Sequence, residues 1–193
     1  EVKGFEETNF ANNSFDAVVT NVPFGAFKVY DRDYDKYGFY IHNYFIAKSL
    51  DKVRAGGIVA VITSKGTMDK QGEDVRQYIA DRAKLLGAIR LPNNAFKTSA
   101  GTEVTSDILF FQKREHIVEN AKDDWVHIGE MENGIPLNKY FLDNPQMLLG
   151  VMAMEKSMYG GEDETTLKSD GRDLKEALNA AIAAFPENVY DGK

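Results

Sequence analysis

Cysteine is absent from this sequence of 193 residues, and histidine occurs three times. The lack of cysteine excludes disulfides, thiolate metal ligands and cysteine nucleophiles, and it fits a reducing compartment such as the cytoplasm, where we expect the protein. The histidines are scattered at positions 42, 116 and 127, so the sequence predicts no metal site. No apolar run approaches the roughly 20 residues of a membrane helix, and we expect no membrane partner.

The composition is that of an ordinary globular chain, with 43% hydrophobic and 27% charged residues. This balance excludes a disordered or collagen-like chain. The net charge of -7 argues against a generally basic nucleic-acid coat. It allows a locally basic groove, because binding depends on local phosphate contacts. The sequence begins with Glu1 and no signal peptide follows, so we expect a piece of a longer polypeptide.

Four short segments rich in apolar and β-branched residues predict buried strands. They cover residues 15–20, 58–63, 85–91 and 107–112. Helical spacing predicts helices over 40–53 and 72–85, and residues 54–57 are predicted as a turn into the second strand. Strands that alternate with helices predict an α/β sheet. The last two strands lack a connecting helix, which predicts an antiparallel final strand.

The character of the chain changes after about residue 115. Asn144 and Pro145 are typical of a helix start, and Gly160 to Asp163 form a polar break. Apolar residues at helical spacing from Leu174 predict an amphipathic helix that ends at Pro186. We therefore predict an α/β part over residues 1–115 and a mostly helical appendage over residues 116–193.

One motif follows the first predicted strand directly. The strand leads into Asn21, Val22, Pro23, Phe24 and Gly25. Ligands of open α/β sheets bind at the carboxyl ends of strands, so this motif occupies the position expected of a site. An Asn-x-Pro turn that merely closes a strand is the structural alternative.

The motif resembles the Asn-Pro-Pro-aromatic sequence of methyltransferases that act on the amino group of DNA adenine. The resemblance continues with Phe45 in the following helix, the Gly56-Gly57 turn, and Leu-Pro-x-x-x-Phe ending at Phe96. This order is similar to the modification subunits of type I restriction-modification systems. It also resembles the methylase part of helicase–methylase proteins from phages and mobile elements. The resemblance implies the C-terminal half of a Rossmann-like, S-adenosylmethionine-dependent methyltransferase sheet.

The resemblance implies adenine-N6 methylation of DNA with named residue roles. An exocyclic amine is a poor nucleophile, because its lone pair is delocalised into the ring. Asn21 Oδ1 and the Val22 carbonyl would accept its two N–H groups and localise that pair, while Pro23 shapes the turn. Phe24 and Phe96 would stack on the flipped base. Valine replaces the usual proline at position 22, which puts the rigidity of the motif in doubt.

The cofactor implied by the resemblance is S-adenosylmethionine. Its candidate contacts are Phe45 and Glu6. The spacing relative to the family motif supports Glu6 less well than Phe45. The family binds the cofactor mainly through a glycine-rich loop upstream of the motif, and the twenty residues before Asn21 contain no such loop. We therefore expect this chain to be the half of a methyltransferase that binds the target base. By itself it should neither bind the cofactor tightly nor catalyse methyl transfer. With the neighbouring strand missing, residues 17–20 would form an apolar edge that self-associates or is covered by the tail.

DNA contacts are predicted from two groups of side chains. The loop after the motif interleaves three cations with three tyrosines, which suits backbone and base contacts. These are Lys28, Arg32 and Lys36 with Tyr30, Tyr34 and Tyr37. Interspersed aspartates nearly cancel the charge, so a solvated loop is the alternative. Lys65, Lys70 and Lys97 follow predicted strands and are better placed to meet phosphate.

Two other functions remain open at this point. The chain could be a non-catalytic DNA-binding or scaffold module of a helicase polypeptide. The same motif chemistry also serves cytosine N4, RNA amines and protein glutamine, which fold cannot separate. The expected partners are accordingly DNA and the rest of the polypeptide, with a helicase region among the candidates.

Overall fold

The computed structural model describes residues 3–97, 101, 103–156, 163–185 and 187. The strands are β1 (Phe15–Asn21), β2 (Val53–Ser64), β3 (Ala83–Leu91), β4 (Ser106–Lys113), β5 (Ile128–Glu130), β6 (Pro136–Asn138), β7 (Val151–Glu155) and β8 (Glu164–Lys168). The helices are α1 (Ile41–Lys52), α2 (Gly66–Asp69), α3 (Asp74–Ala80), α4 (Lys139–Asp143) and α5 (Leu174–Ala183). Short 3-10 helices cover Phe5–Glu7, Asp35–Tyr37, Asp124–Val126 and Pro145–Met147. In this part of the chain no helix is long and apolar enough to cross a membrane.

The main sheet has the strand order β1-β2-β4-β3. β1 lies parallel to β2, while β4 runs antiparallel to both β2 and β3. The predicted α/β fold and its antiparallel strand are therefore confirmed. Ser64 of β2 and Leu91 of β3 both lie opposite Ser106, so β1, β2 and β3 all end at the same edge of the sheet. That edge carries the sequence motif.

The Gly-Gly segment is part of β2 rather than a separate turn, which corrects the prediction. The β1–β2 register breaks between Phe15 and Ala17, and Gly56 takes the positive φ of 73°. A Cβ on Gly57 would lie 2.8 Å from the Asp16 carbonyl oxygen, so the bulge requires glycine there. The helix predicted over 72–85 also ends earlier, at Ala80, because Ala83 already pairs with Lys113 of β4.

The segment after residue 115 is not mostly helical, which corrects a second prediction. It contains the hairpins β5–β6 and β7–β8 besides α4 and α5. These strands have three or five residues, too short to show a clear period in the sequence. The start at Asn144-Pro145 is a 3-10 helix, and the amphipathic helix is present as α5. The Gly160-Gly161 break and Pro186 lie outside the described residues.

The hydrophobic core joins the sheet, α1 and this C-terminal segment in one cluster. Trp125, Leu137, Phe141 and Leu167 are buried in the same cluster as the apolar residues of β2 and β4. The C-terminal segment therefore contributes to the core of the sheet domain. The boundary at residue 115 remains a prediction.

β1 forms one edge of the sheet, as expected from the sequence. Val19 is 80% exposed, and the neighbouring Ala17 is exposed as well. The described C-terminal residues contact the opposite side of the sheet, where the Phe185 and Phe110 ring centroids are 5.4 Å apart. Cover of β1 by the tail is therefore not seen among the described residues, and self-association through β1 remains a prediction.

Candidate functional site

The motif begins on the last residue of β1 and continues into a loop. Asn21 is exposed at the strand end. Among the described residues its carboxamide has no hydrogen-bond partner, so its oxygen can accept from a ligand. Pro23 is exposed, whereas Phe24 is half-buried and packs against the main core. The loop thus presents one polar side chain beside a fixed aromatic ring.

Val22 is fixed by a contact that proline could not make. Its side chain is 2% exposed, and its backbone N–H donates to the Ile62 carbonyl of β2 at 3.0 Å. Proline lacks this donor and would restrict φ instead. The hydrogen bond to β2 and the buried side chain therefore supply the rigidity that the sequence put in doubt.

An open cavity of about 460 Å³ adjoins the motif loop. Gly25 and Ala26 form one wall, and Ser64 and Lys65, which follow β2, form another. Because β1 and β2 are parallel, the cavity lies at their shared carboxyl edge, where α/β sheets bind ligands.

Phe96 lies at the same edge of the sheet but after a distant strand. It is half-buried against the main core in the turn after β3. Because β2 and β4 lie between β1 and β3, the strands that precede Phe24 and Phe96 are ~14 Å apart at the usual spacing. The structure thus places both aromatics at one edge without bringing their strands together.

The two candidate cofactor residues are connected through Phe5 and Lys48. Phe5 adjoins Glu6 in the first 3-10 helix, and its ring centroid lies 4.9 Å from that of Phe45. Lys48 Nζ donates to the Glu6 carbonyl at 3.3 Å. The segment that contains Glu6 therefore packs on α1 at Phe45, and its Phe5 covers part of the Phe45 ring.

The loop after the motif is fixed to α1 by a partly buried polar network. Lys48 Nζ donates to Asp31 Oδ2 at 2.9 Å, and the Tyr44 hydroxyl donates to the same oxygen at 2.7 Å. Burial raises the pKa of Asp31, but these hydrogen bonds outweigh it and lower the pKa overall. Burial and the Asp31 hydrogen bond raise the pKa of Tyr44, which stays a neutral donor.

One of the predicted DNA-contacting tyrosines serves this packing instead, which corrects its assignment. Tyr34 is 7% exposed and donates to Asp51 Oδ2 at 2.5 Å. Tyr37 stacks on Phe39 with ring centroids 5.2 Å apart but remains 39% exposed. Tyr30 is 82% exposed, and Lys28, Arg32 and Lys36 are also exposed. For these exposed residues and for Tyr37, DNA contact stays a prediction.

The three lysines near the strand ends differ in their surroundings. Lys65 lines the cavity and donates to Thr165 Oγ1 at 3.2 Å, and burial lowers its pKa. Lys70 lies over the Tyr40 ring, 4.9 Å from its centroid. Lys97 forms an ion pair with Glu103 at 2.5 Å, which offsets its charge. Lys65 and Lys70 are therefore the better placed for phosphate.

Sequence reasoning missed two contributions to the cavity. His42, in the first turn of α1, lines it together with Gly25. Burial lowers the pKa of His42, and the positive charge of Lys70 lowers it further. Glu164 and Thr165 of β8 also line it, although they are about 140 residues from the motif. A lone histidine and a short hairpin carry no sequence signal that links them to the motif.

Comparison with known proteins finds similar sequences and structures. Residues 1–96 match the family described as Eco57I restriction-modification methylase. Residues 1–96 are therefore similar to a family of restriction-modification methylases. The whole chain is similar to Defense against restriction protein B of Escherichia phage P1, with 28% identity over 209 aligned residues. That match covers 99% of this chain and 9% of the phage protein.

Several solved structures are also similar. The M protein of the type I restriction enzyme EcoKI has 14% identity over 88% of this chain, with a TM-score of 0.44. A Listeria monocytogenes protein assigned to the class I S-adenosylmethionine-dependent methyltransferases has 21% identity over 60%, with a TM-score of 0.43. A chain of a type I R-M system has 22% identity over 52%, with a TM-score of 0.44. This chain spans 48%, 37% and 22% of these structures, respectively.

Proposed function

We propose that this chain supplies the target-base half of a DNA adenine-N6 methyltransferase. The observation that carries the proposal is the placement of Asn21, with an unengaged carboxamide, at the carboxyl end of β1. The motif that it begins leads to Gly25, which lines an open cavity at the same edge of the sheet. The methylase family match of residues 1–96 supports it. The motif chemistry explains why an asparagine would be needed there.

The chemistry rests on two acceptors and one aromatic surface. Asn21 Oδ1 and the Val22 carbonyl each accept one N–H of the adenine amino group, which favours a pyramidal nitrogen with a localised lone pair. The contact of Val22 with Ile62 fixes the backbone at this point before the base arrives. Phe24, already packed against the core, stacks on the flipped base, and Phe96 is the proposed second aromatic contact. Pro23 restricts the turn between them.

S-adenosylmethionine is the proposed methyl donor, and it supplies an electrophilic methyl group when bound. The residues present fit one edge of its site: Phe45 offers an aromatic surface, and Glu6 a carboxylate that could accept from an adenine amine. Since Phe5 covers part of Phe45, we propose that the main contacts come from elsewhere in a longer polypeptide. The isolated chain is then expected to bind the cofactor weakly and to be inactive.

The proposed partners are DNA and the remainder of that polypeptide, in the cytoplasm. The phage relative, of which this chain spans 9%, supports a larger protein around this module. Exposed cations after the motif, together with Lys65 and Lys70, would meet DNA phosphates.

The test is methyl transfer from labelled S-adenosylmethionine to unmethylated DNA, by the full-length protein and by this chain. We expect label on adenine N6 with the full-length protein and none with the chain. In the full-length protein, Asn21→Ala should lower kcat by about 100-fold or more, because an acceptor of the transition state is lost. DNA binding should be unchanged.

Asn179→Ala is the matched control, because Asn179 is exposed on α5, away from the motif. It should leave the rate unchanged. Full activity of the Asn21 variant would remove Asn21 from the mechanism. Label on cytosine, RNA or protein would change the substrate, and DNA binding without any transfer would favour a non-catalytic module.

A further inference from the structure

Lys65 is a half-buried cation that lines the cavity directly after β2. Its Nζ donates to the Thr165 hydroxyl of β8 at 3.2 Å. Among the described residues it forms no ion pair. An ammonium has three N–H donors, and Thr165 engages one of them. Lys65 therefore keeps donors for a ligand that enters the cavity.

The strand that contains Thr165 is fixed at the same edge of the main sheet. The Leu167 N–H donates to Thr105 Oγ1 at 2.9 Å, and the hydroxyls of Thr105 and Thr166 share a hydrogen bond of 3.1 Å. The Asn93 N–H donates to the Leu167 carbonyl at 2.7 Å. Asn93 follows β3 and Thr105 precedes β4, so β8 is attached where both of these strands reach the edge. This strand thus presents a fixed acceptor to the cavity.

Two carboxylates also line the cavity, and they differ in what they contact. Asp69 accepts from Arg90 Nη1 at 2.5 Å and from the Asn138 N–H at 3.2 Å, so its charge is already offset. Glu164 is exposed, and in the described part of the chain its side chain forms no ion pair. Glu164 therefore weakens the attraction of the cavity for an anion but does not occupy the Lys65 ammonium.

Packing does not explain a lysine at this position. Burial of an ammonium without a bound counter-ion is unfavourable, and a neutral side chain would avoid that cost. Burial accordingly lowers the pKa of Lys65, although the charges of Glu164 and Asp69 act in the opposite direction. An anionic group that enters the cavity would offset the cost.

The cavity brings this cation to the motif loop. Gly25 and Ala26, which follow Phe24, form another of its walls. A nucleotide whose base stacks on Phe24 carries its own phosphates to this place. Phosphate oxygens accept strong hydrogen bonds from an ammonium, and such contacts fix the position of a nucleic acid.

From this geometry we propose that Lys65, held by Thr165, binds the DNA phosphate that adjoins the target base. Thr165 is then a positioning residue that acts through Lys65. The inference rests on the proposed function for its place beside the target base. The contact with phosphate can be measured by DNA binding, without any methyl transfer.

The experiment measures DNA binding by the full-length protein as a function of salt. Lys65→Gln should weaken binding several-fold and lower the slope of log K against log salt by about 1, because one phosphate contact is lost. Lys175→Gln is the matched control, since Lys175 is exposed on α5 and the charge change is the same. It should leave affinity and slope unchanged. Glu164→Gln should tighten binding, because a competing charge is removed.

Two substitutions test the hydroxyl of Thr165. Thr165→Val keeps the branched shape that suits a strand but removes the acceptor, and it should weaken DNA binding several-fold. Thr165→Ser keeps the hydroxyl and should bind as the wild type does. In transfer assays, Lys65→Gln and Thr165→Val should raise KM for DNA while kcat at saturating DNA is unchanged.

The position of the phosphate is tested with modified DNA. Replacing one of the two phosphates that flank the methylated adenine with an uncharged methylphosphonate should abolish the difference between wild type and Lys65→Gln. A difference that persists with both replacements would overturn the assignment to that nucleotide.

An unchanged salt slope in Lys65→Gln would overturn the phosphate contact. Equal losses with valine and serine at position 165, in variants that unfold at the wild-type temperature, would overturn the positioning role. A full-length protein that binds DNA but transfers no methyl group would fail the proposed function, while the salt slopes would still decide whether Lys65 binds phosphate.

Discussion

The two edges of the main sheet differ in which side chains they expose to solvent. On one side, β1 has an exposed Val19 and ends in the exposed Asn21. On the other side, β3 and β4 bury Arg90 and Asp107, both 0% exposed. Arg90 Nε and Nη2 donate to the two Asp107 carboxylate oxygens at 2.7 and 2.8 Å. The proposed chemistry thus lies on the open side, and the most buried polar contacts lie on the other.

The buried side is linked to the helices and to the C-terminal segment. Arg90 Nη1 also donates to Asp69 of α2 at 2.5 Å, and its guanidinium lies 4.5 Å from the Phe141 ring centroid. The charges of Asp107 and Asp69 outweigh burial and raise the pKa of Arg90. Since Gly66 and Asp69 of α2 both line the cavity, the buried network also fixes one wall of the candidate site.

The largest expected effect is on the buried side. Asp107→Ala leaves a fully buried guanidinium with one of its two carboxylates, and we expect it to lower the free energy of unfolding by about 3–5 kcal/mol. Glu155→Ala breaks the exposed Lys168–Glu155 pair and should cost about 0–1 kcal/mol. Urea unfolding of the two variants measures the contrast. Similar losses for both would mean that Arg90 is not constrained as the structure indicates.

An intermediate effect is expected where the motif joins β2. Val22→Pro removes the N–H that donates to Ile62, and it should lower the free energy of unfolding by about 1–3 kcal/mol more than Val22→Ala, which keeps that N–H. Thermal unfolding of the three proteins gives the difference. A proline variant as stable as wild type would show that the hydrogen bond contributes no rigidity.

The smallest effect on stability is expected at the open edge. Val19→Lys should change the free energy of unfolding by less than about 0.5 kcal/mol, because Val19 is 80% exposed. Val61→Lys on β2, where the residue is 1% exposed, should unfold the protein. Sedimentation of this chain should show association that Val19→Lys abolishes. A wild-type monomer at high concentration would refute self-association through β1.

The sequence predicted the elements that carry a strong local signal. Residues 15–20 are β1, 58–63 lie within β2, and 40–53 became α1. Each is a long apolar or periodic run, so local pattern and tertiary structure agree. The role of Tyr34 could not be predicted, because whether a loop tyrosine faces DNA or the core depends here on its contact with Asp51 of α1. The roles of His42 and Thr165 depend on contacts across the fold in the same way.

By itself, the sequence determined the α/β class, the strands of the main sheet, and the motif at the end of the first strand. These follow from hydrophobic periodicity and from the chemistry of a few adjacent residues. The tertiary structure decided which edge of the sheet is open, that a hydrogen bond to Ile62 fixes the valine of the motif, and that His42 lines the same cavity as Gly25. Those outcomes depend on strand order and on contacts between distant residues, which no local pattern encodes.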